Sequence, residues 1–147
     1  MPYYIKKQRH QKEKRERSES AKLIDKLDRI FSLYIRLRDS KEFNFQAFRC
    51  ISCGQVKPFS QMDCGHFFSR RHMATRFSEL NASGECRACN RYSADHLHAY
   101  EVNLKKKIGE QKFALLEAQA HSTKKWHPFE LEQMIQYYKE QIEKLKQ

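Results

Sequence analysis

Two Cys-x-x-Cys pairs, Cys50/Cys53 and Cys86/Cys89, are separated by the 32 residues 54–85 and dictate what this chain can fold around. A Cys-x-x-Cys turn sets both sulfurs on one side, and two such turns supply the four soft ligands of a closed tetrahedral Zn²⁺ site. Such a staple brings residues 50 and 89 to one point, so the segment between them must run out and return. Within that segment lie His66, in Asp-Cys-Gly-His-Phe (63–67), and Asn81; Asn90 follows the second pair directly. Read singly, the two asparagines are turn or cap residues and His66 is a core histidine or a substitute zinc ligand. Their position relative to the knuckles is what sets them apart.

The five cysteines carry a second message. In a reducing compartment they speak for metal ligation over disulfides, and the odd number leaves Cys64 outside a four-sulfur site as a small buried filler. The chain has 29 Lys and Arg against 18 Asp and Glu, a formal charge of +11. At 147 residues this excess calls for a polyanionic partner, with nucleic acid first. No apolar run approaches the roughly 18 residues of a membrane span, and the basic, polar start has no signal-peptide core. A cytoplasmic protein with no membrane partner is expected.

The chain is long enough for one modest core. Residues 1–19 are almost entirely polar and basic after Ile5 and read as a flexible, solvated arm or a frayed helix start. Leu23, Ile24, Leu27, Ile30, Phe31, Tyr34, Ile35 and Leu37 recur at three- and four-residue steps, which predicts an amphipathic helix over 20–42 capped by Ser20. Phe43, Phe45 and Phe48 alternate into Cys50 as a strand would, residues 59–68 read as a β-hairpin region, and 69–80 form a basic connection. A helix is expected from about 87, running through Tyr100 or breaking near Ser93 and resuming. Ile108-Gly109 marks a turn between helices, and Pro128 opens a last helix. The segments divide into a core over 43–100 and a helical extension over 101–147. The apolar stripes of the first and last helices read as core packing and leave a homodimer open.

The order His, Asn, Cys-x-x-Cys-Asn between two knuckles resembles the zinc-knuckled HNH endonucleases, with Asn in place of the last His. The resemblance implies an α+β fold: a ββα-metal (HNH, treble-clef-like) core stapled by zinc and flanked by N- and C-terminal helices. It further implies His66 as the general base, Asn81 as the residue that orients its imidazole, and Asn90, with His66, as ligand to a catalytic divalent ion. A side-chain oxygen is a hard ligand and suits Mg²⁺ or Mn²⁺. HNH enzymes often carry an acidic or His ligand just before the base, where this chain has Gly65. Asp63, if the strand bulges at Gly65, or Asp95 would then supply the second oxygen. Arg70, Arg71, Arg76, Arg87 and Arg91, all within 25 residues of His66, form the expected DNA-binding track. His72, His96 and His98 read as surface residues.

A closer resemblance covers roughly residues 20–145. Phe-Arg-Cys-Ile-Ser-Cys-Gly (48–54), Met-Asp-Cys-Gly-His-Phe-Phe-Ser-Arg (62–70), Thr-Arg-Phe-Ser-Glu-Leu-Asn (75–81) and Glu-Cys-Arg-Ala-Cys-Asn (85–90) are similar to the lambdoid phage NinG, or Rap, recombination family. That resemblance implies a phage- or prophage-encoded, structure-selective endonuclease acting on branched intermediates such as D-loops and Holliday junctions in the bacterial cytoplasm. Two other readings use the same residues. A non-catalytic zinc-dependent DNA-binding module needs the cysteines and arginines but asks nothing of His66. An HNH restriction or homing nuclease needs base-edge readout, for which no recognition signature is visible.

Overall fold

In the computed structural model, residues 18–147 are described with their side chains and residues 2–17 by backbone alone. The expected arm over 1–19 therefore falls almost wholly outside the residues described in full. Helix α1 (Pro2–Ser40) carries the predicted stripe, but it begins well before the expected residue 20, so Ser20 lies within the helix and does not cap it. Leu27, Phe31 and Ile35 are wholly buried against Leu131, Ile135, Tyr138 and Ile142 of helix α4 (Pro128–Lys146). Each such side chain contributes on the order of 1.5–3 kcal/mol on burial. Pro128 occupies the first turn of α4, and Glu130 reaches back to accept from the His127 backbone N–H at 2.9 Å.

Across α1 lie two small antiparallel hairpins. Strand β1 (Ala47–Arg49) pairs with β2 (Val56–Pro58), and β3 (Met62–His66) pairs with β4 (Ala82–Cys86). Two sequence expectations change here. The strand before the first knuckle is only Ala47–Arg49, because Phe43 closes a 3₁₀ turn and Asn44 and Phe45 take left-handed backbone at φ 54° and 62°. Residues 59–68 hold one strand, not a hairpin; the partner strand, Ala-Ser-Gly-Glu-Cys, returns only after residues 67–81. That strand has no β-branched or aromatic residue to announce it and is held by complete burial.

Beyond β4 the chain makes a π-helical turn (Ala88–Tyr92), breaks, and resumes as α2 (His96–Ile108). Gly109, at φ 88°, turns it into α3 (Glu110–Ala120). Tyr100 and Leu104 of α2 pack on Phe113 and Leu116 of α3 and on Phe67 and Phe68, which closes the face of the β3/β4 hairpin away from α1. Between the hairpins Phe48, Cys50, Met62 and Cys86 form a third small cluster. The β3/β4 hairpin thus lies between the α1/α4 pair and the α2/α3 pair. No described helix is long and apolar enough to cross a membrane.

Candidate functional site

The knuckles converge as their spacing requires. The Sγ atoms of Cys50, Cys53, Cys86 and Cys89 all lie within 4.8 Å of one another. Sulfurs bound to one tetrahedral zinc at ~2.3 Å are about 3.8 Å apart, so this donor set fits a structural Zn²⁺. The surrounding backbone is built for thiolates: Cys86 N–H donates to Cys50 Sγ at 3.3 Å, and Gly54, at φ 73°, turns the first knuckle back on itself. Cys64 stands outside the set, as its odd count implied. It packs against the α1/α4 cluster, where burial pushes its thiol up to about 12, so it stays protonated.

Beside β3 is a cavity of about 330 Å³ lined by Asp28 and Ser32 of α1, Cys64 and His66 of β3, Ser69 and Arg70 of the following connection, and Asn90. The hairpin histidine and the asparagine after the second knuckle, distant in sequence, thus share one space. His66 is the last residue of β3, and its Nε2 lies 2.9 Å from the Arg76 carbonyl oxygen. A carbonyl only accepts, so Nε2 carries the proton and Nδ1 keeps the lone pair. Burial lowers the His66 pKa below the ordinary 6.5, an effect that the Arg76 carbonyl partly opposes. The ring is therefore neutral at pH 7.

Asn90 sits on the π-helical turn and donates from Nδ2 to Asp63 Oδ2 at 3.0 Å. A carboxylate cannot donate, which fixes the amide's orientation and leaves Oδ1, the acceptor, on the other side. Asp63 is in turn gripped by Arg91 through both oxygens at 2.8 and 2.9 Å, with Arg87 at 3.9 Å. Asp63 does not line the cavity; its place is behind Asn90 as a positioning group. Nor does β3 bulge at Gly65, since the register with β4 is continuous from Met62↔Cys86 to His66↔Ala82. The glycine itself has a steric reason: a Cβ at 65 would meet Glu85 Oε1 at 2.7 Å and its Cβ at 2.8 Å. Asp95 is exposed at the head of α2 and is not among the cavity's lining residues.

Asn81 is completely buried and makes no hydrogen bond to His66 among the described residues. Its amide accepts from Phe68 N–H at 2.9 Å and donates to Phe68 O at 2.8 Å and to Thr75 O at 3.2 Å. It therefore shapes the connection that carries the Arg76 carbonyl, and the group that orients the imidazole directly is that carbonyl. Spacing located both residues but could not say through which atoms they act. Truncation to Ala strands three buried backbone groups. Asn81→Ala is expected to lower stability by about 3 kcal/mol in denaturant unfolding of the zinc-loaded protein, and to loosen His66 with it.

The arginines divide. Arg76, largely buried, pairs with Asp28 through Nε at 3.0 Å and through Nη2, and so ties the connection to α1. Its role here is architectural, not that of an open phosphate ligand. Arg70, at the cavity, is 3.8 Å from Asp28 and mostly exposed; Arg71 and Arg87 are exposed, and Arg91 is half exposed while it holds Asp63. Asp28 and Ser32 were missed by sequence reasoning because both sit on the polar flank of a helical stripe, where acidic and hydroxyl residues are ordinary. Only the packing of α1 across the β3 edge brings them to His66.

A family model described as "Bacteriophage Lambda NinG protein" matches residues 4–147. Among curated proteins, Protein ninG of Escherichia phage lambda is 27% identical over 124 residues, covering 84% of this chain and 57% of that protein. The proteins of the same name from Escherichia phage 933W and Enterobacteria phage VT2-Sa are also 27% identical over 124 residues, with 58% of each covered. The chain thus spans somewhat over half the length of these relatives. No solved structure matches it.

Proposed function

The chain belongs to the bacteriophage lambda NinG family, and on that premise we propose that it is a metal-dependent endonuclease of HNH type that hydrolyses DNA phosphodiesters, with branched recombination intermediates as substrates. The reading rests on one observation: His66, its Nε2 fixed on the Arg76 carbonyl, lines one cavity with Asn90. The order hairpin β3/β4, four-cysteine turn, helix supports reading the α+β fold as a ββα-metal core of treble-clef type.

The chemistry follows from the placement of the side chains. Nδ1 of His66 takes the proton from the attacking water, and burial keeps it unprotonated until that moment. The Arg76 carbonyl stabilises the imidazolium that results, through the same Nε2–H bond. Asn90 Oδ1 is the group that would hold a divalent ion, with the Asp63–Arg91 pair fixing the amide, while the one lone pair of His66 is taken by its role as base and leaves no nitrogen for the ion. When bound, Mg²⁺ or Mn²⁺ would neutralise charge on the scissile phosphate and assist the leaving oxygen. Arg70 at the cavity presents its guanidinium to the phosphate backbone.

Labelled branched DNA incubated with zinc-loaded protein and Mg²⁺ or Mn²⁺ is expected to be nicked. A protein proven to hold zinc that cuts with neither ion refutes the catalytic reading and leaves a zinc-dependent DNA binder. The pH profile is a second check. Because the His66 pKa is depressed from 6.5, the cleavage rate should be flat through pH 7 and fall only at pH clearly below 6.5. Stability follows the same sign. The unfolded ring protonates near 6.5 and the folded ring later, so this contribution is complete above 6.5 and shrinks as pH falls through the interval. A rate that already drops between pH 8 and 7 would contradict a buried neutral base.

A further inference from the structure

Tyr92 is 82% exposed, the most exposed large hydrophobic side chain among the described residues. It ends the turn that carries Asn90, two residues earlier, and Asn90 lines the cavity that holds His66. The turn is immobilised at several points. Cys86 and Cys89 belong to the sulfur cluster, and both Asn90 and Arg91 are tied to Asp63. The residues that follow, Ser93 to Asp95, are exposed and non-helical, and nothing from them covers the ring. A tyrosine ring has only two side-chain torsions to fix on binding and offers a flat apolar surface. Its nearest sequence neighbours include exposed cations: Arg87 five residues before, and Arg91, whose Nη1 is not used in the grip on Asp63. Arg70 adds a third positive group at the cavity.

We propose that Tyr92 is a specificity-determining residue that stacks on a DNA base freed from its own helical stack, while Arg87 and Arg91 take the flanking phosphates. The inference rests on the nuclease reading for the identity of the polymer, and its chemistry is separate. An aromatic plate bordered by guanidinium groups matches an unpaired base on a charged backbone; a continuous duplex keeps every base face covered and offers the plate nothing. Tyr92 thereby favours DNA with a discontinuity at the site that faces His66.

The test is equilibrium binding of zinc-loaded protein, without added Mg²⁺ or Mn²⁺, to a branched DNA carrying 2-aminopurine at the unpaired position and to a fully paired duplex of the same sequence. Tyr92→Ala, an exposed change that leaves the fold intact, should weaken binding of the branched probe on the order of ten- to a hundredfold and remove the quenching of 2-aminopurine. Binding of the duplex should change less than twofold, and Tyr92→Phe and Tyr92→Trp should retain wild-type discrimination. An equal loss on both DNAs, or no loss on the branched one, overturns the proposal. A wild-type protein that discriminates in this way yet never cuts DNA would uphold the stacking role and refute the nuclease reading.

Discussion

Replacement of His66 by alanine is expected to lower DNA cleavage by a factor of about 10² to 10⁴, the usual contribution of a positioned general base. DNA affinity should be nearly unchanged, since the arginines remain. The ring makes one hydrogen bond, to the Arg76 carbonyl, and packs near Phe31 at 5.8 Å between centroids, so its loss trims a cavity wall and leaves the fold standing. His66→Gln is an informative companion. An amide can keep a donor toward Arg76 but has no basic nitrogen, so it should preserve the loop while remaining as slow as the alanine variant. Cleavage at the wild-type rate in either variant would show that another group takes the proton. A binding module without catalysis predicts that neither variant changes any measured property beyond stability.

Removal of zinc is the second large effect. Apparent binding free energies of structural zinc, about 10–16 kcal/mol in small modules, are comparable to the whole stability of a domain, about 5–15 kcal/mol. The cluster around the sulfurs is small, with Phe48, Met62 and the cysteines as its buried members. Chelation, or Cys50→Ser, should therefore collapse the hairpins and abolish both cleavage and cooperative unfolding. Much of the helical circular dichroism should survive, because α1 and α4 bury their stripes against each other in a separate cluster. Cys64→Ser is the control. That thiol is outside the four-sulfur set, so the variant should retain one zinc per chain. A wild-type protein that keeps its cooperative transition after zinc is removed would show that the sulfurs do not hold the site together.

Sequence reasoning was strong where a covalent or periodic signal exists. Cysteine spacing placed the four-sulfur cluster, the three- and four-residue recurrence placed the buried stripes of α1 and α4, Gly109 marked the turn from α2 to α3, and Pro128 the start of α4. It weakened where tertiary packing decides. Strand β4 is held by burial and not by propensity, so its pairing with β3 across residues 67–81 left no local trace. Asp63 carries the charge of a metal ligand, yet Arg91 and Asn90 claim its oxygens from a turn that comes into reach only once the knuckles close. Arg76 looked like a phosphate contact until Asp28 of α1 came alongside. The orienter of His66 was invisible in principle, because it is a backbone carbonyl and no residue type encodes it. Candidate roles were legible as positions, and the atoms that perform them were not.

Mn²⁺ electron paramagnetic resonance of the zinc-loaded protein asks most directly whether the sulfur staple places one ion site at Asn90, beside a His66 left free to take the proton. One Mn²⁺ should bind per chain, and it should still bind with unchanged affinity in His66→Ala, because the imidazole serves as base and not as ligand. The Mn²⁺ affinity should fall at least tenfold in Asn90→Ala and stay unchanged in Asp95→Ala. Mn²⁺ affinity that is indifferent to Asn90, or that is lost with His66, would contradict the account.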